Sequence, residues 1–331
     1  MSVDDESVGI GVLGCADVAD RRVLPAVAAS RRCHLVAVAS RTERKAREFA
    51  ERHGAEAMTG YAALLERDDV DAVYLPLPSG LHAEWIERAL RAGKHVLAEK
   101  PLTLDGDTTD ALLTLAEESG LVLRENFMFC HHPMHGALRD LVDDGAIGEL
   151  RSFSSTFAIP ARPEGDIRHR RELGGGALHD TCGYPVRAAQ MFLGPALTVH
   201  GTVLREPETG EVDLGGAALL ARPDGVFAQV RFGLADAYTS AYEITGSTGR
   251  IEVSHVFTTP VGHVPEARLV TSHGSEPVTL PAADQFRAAV DAFAGAVRKE
   301  PDLPEWGHGA IARQARLIDA IRTHARPVHA R

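Results

Sequence analysis

At 331 residues, a net charge of −11 and no apolar run long enough to span a bilayer, the chain argues against a nucleic-acid binder, an anionic-membrane binder or a transmembrane protein. The length suits two domains with cores of their own. Cys15, Cys33, Cys130 and Cys182 lie scattered without a Cys-x-x-Cys spacing, and the acidic opening Met1–Glu6 lacks the pattern of a signal peptide, so the expectation is a cytoplasmic protein with reduced thiols.

Val8 to Gly14 is an apolar, glycine-spaced run suited to a buried parallel strand. Gly9-x-Gly11-x-x-Gly14 matches the dinucleotide fingerprint, yet its first two glycines fall inside that strand. The register that follows the strand and opens a helix to about Ser30 is Gly14-x-Ala16-x-x-Ala19. Gly14 makes the tight turn, and Ala16 lets backbone approach a pyrophosphate at the helix start, which places Cys15, Asp17 and Val18 beside it. A plain strand-turn-helix with small packing residues reads the same letters. His34 to Ala39 is the second strand. Where a domain preferring NAD carries an acidic residue, this chain has Ser40-Arg41-Thr42, followed by Arg44 and Lys45. A hydroxyl and a guanidinium suit a ribose 2′-phosphate, so NADP(H) is expected, with Arg44 and Lys45 open between that role and a solvated helix face.

Further strand-helix units follow: strand Val70 to Leu75, helix Ala83 to Ala92, strand Val96 to Glu99, helix Thr108 to Ser119 and strand Leu121 to Arg124. The alternation predicts a doubly wound parallel sheet, a Rossmann fold. The loop Leu75-Pro76-Leu77-Pro78-Ser79 lines the carboxyl edge of that sheet. His82 there either touches cofactor or faces water at a helix start. Glu99-Lys100-Pro101 ends its strand, because proline cannot donate to a ladder. Lys100 is either a solvated charge paired with Glu99 or a catalytic ammonium, and a cis Lys100–Pro101 bond would aim it into the cleft.

From Glu149 the pattern changes to long β-like segments: Leu150 to Ile159, Leu197 to Leu204, Ala217 to Ala221, Val226 to Phe232, Ala241 to Ile244 and Arg250 to Val253. These predict an α+β domain with a large, mostly antiparallel sheet. Two amphipathic helices close the chain, one with Phe286, Val290, Phe293 and Val297 on a face, the other with Ile311, Ala315, Ile318 and Ile321. The domains are expected at 1–125 and 126–331, with the last helices able to pack back on the first. Gly174-Gly175-Gly176 leads into a helix and lets backbone come close to a ligand. On that helix Asp180 and Tyr184 stand four apart, hence on one face, as a candidate acid–base pair. Arg168, His169, Arg170 and Arg171 offer positive charge for a phosphorylated substrate, or a solvated loop. His131-His132-Pro133-Met134-His135 lacks convincing partner ligands for zinc and reads as the polar start of a helix, with no metal expected.

Taken together, the Gly14 to Ala19 turn, the run Ala92-Gly93-Lys94-His95-Val96-Leu97-Ala98-Glu99-Lys100-Pro101, the Gly174 to Asp180 helix start and the closing Ala312 to Arg326 helix resemble the Gfo/Idh/MocA family of NAD(P)-dependent oxidoreductases. The resemblance implies that Lys100 is catalytic, with Asp180 and an acid–base residue at Tyr184, where many members carry histidine. Tyrosine there, Glu125-Asn126-Phe127-Met128-Phe129, Gly165-Asp166-Ile167-Arg168 and Ser40-Arg41 are similar to the branch of sugar 3-ketoreductases acting on dTDP-linked deoxysugars. That implies NADPH-dependent reduction of the C3 ketone of a dTDP-3,4-diketo-2,6-dideoxyhexose in natural-product biosynthesis. Cofactor contacts are then expected at Leu77, Pro78, His82, Glu99, Lys100, Asn126 and Arg168, in a homodimer or homotetramer. The rivals are an oxidative polyol or sugar dehydrogenase and a non-catalytic NADP-binding regulator.

Overall fold

The computed structural model describes residues 7–207, 211–301 and 303–330, so the acidic opening lies outside the described residues. The chain forms two compact units, one of Met1–Met128 with Phe286–Ala312, the other of Phe129–Gln285 with Arg313–Arg331.

The first unit is built on strands β1 (Val8–Leu13), β2 (Cys33–Ser40), β3 (Glu56–Thr59), β4 (Ala72–Leu75), β5 (His95–Ala98) and β6 (Leu123–Glu125). They lie in the order β3-β2-β1-β4-β5-β6, and every pairing is parallel. Helices α1 (Leu24–Ala29), α2 (Glu43–His53), α3 (Tyr61–Leu65), α4 (His82–Arg91) and α5 (Gly106–Glu118) connect them. Covered on both faces, β1 and β4 are buried at every residue, which is why they read as unbroken apolar runs. Ile86, Ala89 and Leu90 of α4 share a core with Leu13, Val73, Leu75, Val96, Leu112 and Ile311. Each large aliphatic side chain buried there contributes about 1.5–3 kcal/mol. The strand order reverses between β1 and β4, so the crevice for a ligand opens at the carboxyl ends of those two strands.

Two local departures from the sequence reading have identifiable causes. The first helix begins with a π-helical turn, Ala19–Val23, in which the Leu24 amide donates to the Ala19 carbonyl. Pro25 has no N–H to continue an α-helical ladder, and the turn widens to compensate. The edge strand β3 is largely exposed and therefore invisible to a search for hydrophobic periodicity, and the five-residue helix α3 is too short to show one. The Lys100–Pro101 peptide bond is cis, as expected.

In the second unit, α6 (Met134–Asp143) precedes β7 (Leu150–Ala158), then α7 (Ala177–Asp180), α8 (Gly183–Leu193), β8 (Thr198–Pro207), β9 (Gly215–Ala221), β10 (Phe227–Gly233), β11 (Thr239–Gly246), β12 (Gly249–Ser254), β13 (Ala267–Thr271), β14 (Gly274–Val278) and β15 (Ala325–Ala330). Among the described residues they make a nine-stranded sheet in the order β14-β13-β12-β11-β7-β10-β9-β8-β15. Only the β7–β10 and β8–β15 pairings are parallel. Alternation sorts the two faces. Phe153, Phe157, Val230, Phe232, Tyr242 and Ile244 are buried, whereas Ser154, Thr156, Gln229, Arg231 and Glu243 occupy the intervening positions. Strands β13 to β15 were not expected. β14 is a polar, largely exposed edge carrying Pro277, the composition that keeps edges from pairing further.

Candidate active site

At the carboxyl edge of the parallel sheet, Gly14 has φ +120°, and a Cβ there would stand 2.8 Å from Leu77 Cδ2. Only glycine lets the turn after β1 pass so close to the loop after β4. Gly9 and Gly11 lie within β1, so the turn through Cys15, Ala16, Asp17 and Val18 is the one that leads into a helix. Cys15 is half-exposed, unlike the three buried cysteines; burial, the larger effect, outweighs nearby Lys45 and raises its thiol pKa. After β2, Ser40 is buried while Arg41 and Thr42 are exposed. Arg44 pairs with Glu48 at 2.6 Å on the solvent side of α2.

Around Lys100 the fold places a network the sequence reading largely missed. Tyr74, buried on β4, donates to Glu99 Oε1 at 2.8 Å, and Asn126 Nδ2 donates to the same oxygen at 2.7 Å. Burial pushes the Glu99 carboxyl pKa up, partly offset by the Asn126 and Tyr74 hydrogen bonds. Glu125 Oε1 accepts the Leu102 amide at 2.9 Å. The Trp306 indole N–H donates to the Glu125 carbonyl at 2.6 Å, a contact 181 residues apart in the chain that no local motif signals. Asn126 is 2% exposed, and its Oδ1 has no hydrogen-bond partner among the described residues. A buried acceptor left open at this edge fits a ligand that brings its own donor, such as a carboxamide.

His82 does not meet a ligand in the way expected. It is fully buried, its Nδ1 lies 2.9 Å from the Pro101 carbonyl oxygen and its Nε2 2.8 Å from that of Leu77. The β4 exit loop folds over the first residue of α4, so both ring nitrogens face backbone and the ring does not face water. Burial chiefly, with the Lys100 charge adding to it, lowers the imidazole pKa.

In the second unit Asp180 and Tyr184 are not on one helix. α7 ends at Asp180, Thr181 and Cys182 form a turn, and α8 starts at Gly183. Pro185 offers no amide to the Thr181 carbonyl, and its ring disfavours helical backbone before it, so the ladder breaks there. Tyr184 is 5% exposed, its ring packed against Phe157, Phe257 and Phe129 with centroids at 4.5, 5.6 and 5.8 Å. Asp180 Oδ2 accepts from Arg168 Nε at 2.8 Å, and Arg168 Nη1 also reaches Asp166 at 3.2 Å. Burial opposes the Arg168 charge, but the two carboxylates prevail and raise its pKa. Arg170 pairs with Glu172 and Arg171 donates to the Glu211 carbonyl, so each of these arginines is engaged within the protein.

The triple glycine also serves the protein itself. A Cβ at Gly175 would lie 2.5 Å from the Arg168 carbonyl oxygen, and one at Gly176 2.4 Å from Asp213 Oδ1. Asp213 grips the start of α7: its Oδ2 accepts the Leu178 amide at 2.7 Å and its carbonyl the Ala177 amide at 2.9 Å. Burial raises the Asp213 carboxyl from 3.8 to about 6. The folded protein therefore holds this proton more tightly than the unfolded chain, and the resulting stability, full below about pH 3.8, is lost as pH rises through about 6. Asp213→Asn should gain in Tm relative to wild type between pH 4.5 and pH 7.5, measured by thermal melts across that range; a pH-independent difference would contradict this.

The histidines before and at the start of α6 are not a polar helix start but are packed inside. His132 and His135 are each 1% exposed, His135 Nδ1 lies 2.9 Å from the Tyr242 hydroxyl, and burial pushes His131 and His135 down to about 3. Among the described residues no group of three or more His, Cys, Asp or Glu is placed to hold a metal ion, and no helix is long and apolar enough to cross a membrane.

Comparison with known proteins agrees with this architecture. Residues 8–127 match the oxidoreductase family with an NAD-binding Rossmann fold, and residues 135–252 match the GFO/IDH/MocA C-terminal domain. A dTDP-3,4-didehydro-2,6-dideoxy-alpha-D-glucose 3-reductase of Actinomadura kijaniata is 51% identical, covering 97% of both chains. An enzyme of the same name from Streptomyces violaceoruber is 52% identical over 96% of this chain and 95% of its own. The crystal structure of a 3-ketoreductase from Actinomadura kijaniata in complex with NADP and TDP-benzene superposes with a TM-score of 0.95, covering 98% of this chain and 100% of that one at 51% identity. That enzyme has also been solved with one tyrosine replaced by phenylalanine and with one lysine replaced by alanine, two positions as far apart in its chain as Lys100 and Tyr184 are here. The chain belongs to the GFO/IDH/MocA family of oxidoreductases.

Proposed function

We propose that the protein is an NADPH-dependent sugar 3-ketoreductase that converts the C3 ketone of a dTDP-linked 3,4-diketo-2,6-dideoxyhexose to a hydroxyl, in deoxysugar biosynthesis for a glycosylated natural product such as an antibiotic. The observation that carries this reading is the pair Lys100 and Tyr184, at the same separation as the lysine and tyrosine altered in the 3-ketoreductase solved with NADP and TDP-benzene. The turn Gly14 to Val18, Ser40-Arg41-Thr42, Leu77-Pro78, Glu99 and Asn126 would hold the cofactor, and the open Asn126 Oδ1 supports that fit. NADPH supplies the hydride when bound. The protein's own residues manage the charge that develops on the carbonyl oxygen: Tyr184 donates the proton, Lys100 stabilises the oxyanion and the tyrosinate left behind, and Asp180, held by Arg168, orients the sugar. Neither rival needs this set, since a regulator can dispense with Lys100 and Tyr184, and a polyol oxidant would carry histidine and an acidic residue where Tyr184 and Ser40 stand.

The uncovered sheet face, with Val203, Leu219 and Phe227 at 45, 41 and 37% exposure, supports assembly as a homodimer or homotetramer. Four free cysteines suit a reducing cytoplasm. Steady-state kinetics on the dTDP-diketo sugar with NADPH and NADH tests both substrate and cofactor. Turnover should prefer NADPH, and Arg41→Ala should shrink the ratio of kcat/KM values by about tenfold or more, the worth of one charge-assisted contact of about 1.5–3 kcal/mol. An unchanged ratio would remove Arg41 from the phosphate site, and no turnover of the sugar with either cofactor would overturn the substrate.

A further inference from the structure

We propose that His82 is a positioning residue for Lys100, its imidazole wedged between the Leu77 and Pro101 carbonyls, donating its one N–H to one of them and packed against the other, so that the backbone directly after the lysine is seated against the loop after β4. The proposal rests on the reading of Lys100 as catalytic. Both carbonyls belong to irregular backbone beyond a strand end, where no ladder fixes the chain. The ring that meets them is fully buried, with contacts of 2.9 and 2.8 Å to carbonyls 24 residues apart. Burying a polar ring costs less where such a partner takes its N–H. The chain is pinned on either side of Lys100: Glu99 is held by Tyr74 and Asn126, the Pro101 carbonyl by His82, and the Leu102 amide by Glu125. Of these groups, His82 is the one whose ring also lies against the Leu77 carbonyl, so its bulk sets the spacing between the two loops that flank the crevice of the first unit.

A double-mutant cycle tests this. Catalysis loses about 10²-fold when a reacting group is displaced by about 1 Å. His82→Leu should therefore lower kcat by about 10- to 100-fold, with the NADPH Kd, read by fluorescence titration, changed less than about threefold. In a Lys100→Ala background the same substitution should lower kcat by less than about threefold, because the group it positions is gone. Equal factors in the two backgrounds would mean that His82 serves general stability, and the proposal fails. Wild-type turnover in His82→Leu would also overturn it. Wild-type turnover in Lys100→Ala alone would instead overturn the catalytic reading of the lysine. Should His82→Leu not fold, His82→Gln replaces it, since its amide N–H can still serve one carbonyl. That variant should keep more activity than Lys100→Ala and show the same non-additivity, and additive losses there count equally against the proposal.

Discussion

Replacing Tyr184 with phenylalanine lowers kcat by about 10²–10⁴, the usual loss on removing a positioned general acid, and leaves the NADPH Kd unchanged. The substitution isolates the proton with little else disturbed. Phe157, Phe257 and Phe129 pack around the ring, and phenylalanine fills the same space among them. Only the hydroxyl is removed, so the cofactor keeps the contacts of its own dinucleotide turn and its affinity should stay the same. Steady-state kinetics with a fluorescence titration of NADPH checks both halves. Wild-type turnover would mean that the proton comes from another group, and a large rise in Kd would mean that the ring has a structural role in the cofactor site.

Lys100→Met removes the ammonium while keeping most of the apolar stem, and kcat should fall by about 10²–10³, the range seen when one donor that stabilises a developing oxyanion is lost. Glu99 keeps its hydrogen bonds from Tyr74 and Asn126, so the strand end stays in place. Lys100→Arg should not restore the rate, because a planar guanidinium spreads its charge and donors differently from a compact ammonium. Single-turnover rates at saturating NADPH give the measurement. A fall confined to KM, with kcat intact, would assign Lys100 to substrate binding and remove it from the chemistry.

What could be read in the chain beforehand follows from where the signal is local. β1, β2, β4 and β5 are buried parallel strands whose apolar runs announce themselves, and the turn after β1 was legible because its small residues stand where a phosphate-binding turn needs them. Glu99-Lys100-Pro101 was legible as a strand end from proline alone. β3, β14 and β15 were not, since edge strands are polar or exposed and lack a hydrophobic period. The break between Asp180 and Tyr184 is written in Pro185, whose missing N–H overrides the four-residue helical spacing. His82 shows the limit most clearly. Its burial depends on Leu77 and Pro101 arriving from two loops, and nothing in its own neighbourhood distinguishes it from a solvated helix start. The same holds for Tyr74, Glu125 and Trp306, which meet around Lys100 only after the sheet has formed.

The central claim is that hydride goes to C3 of the sugar. Turnover of the dTDP-3,4-diketo-2,6-dideoxyhexose with NADPH deuterated at the transferring C4 position, followed by NMR of the product, tests it directly. Deuterium bound to C3, with a hydroxyl on the same carbon, is the expected result. Deuterium at C4, or a reduced product without deuterium, would contradict it.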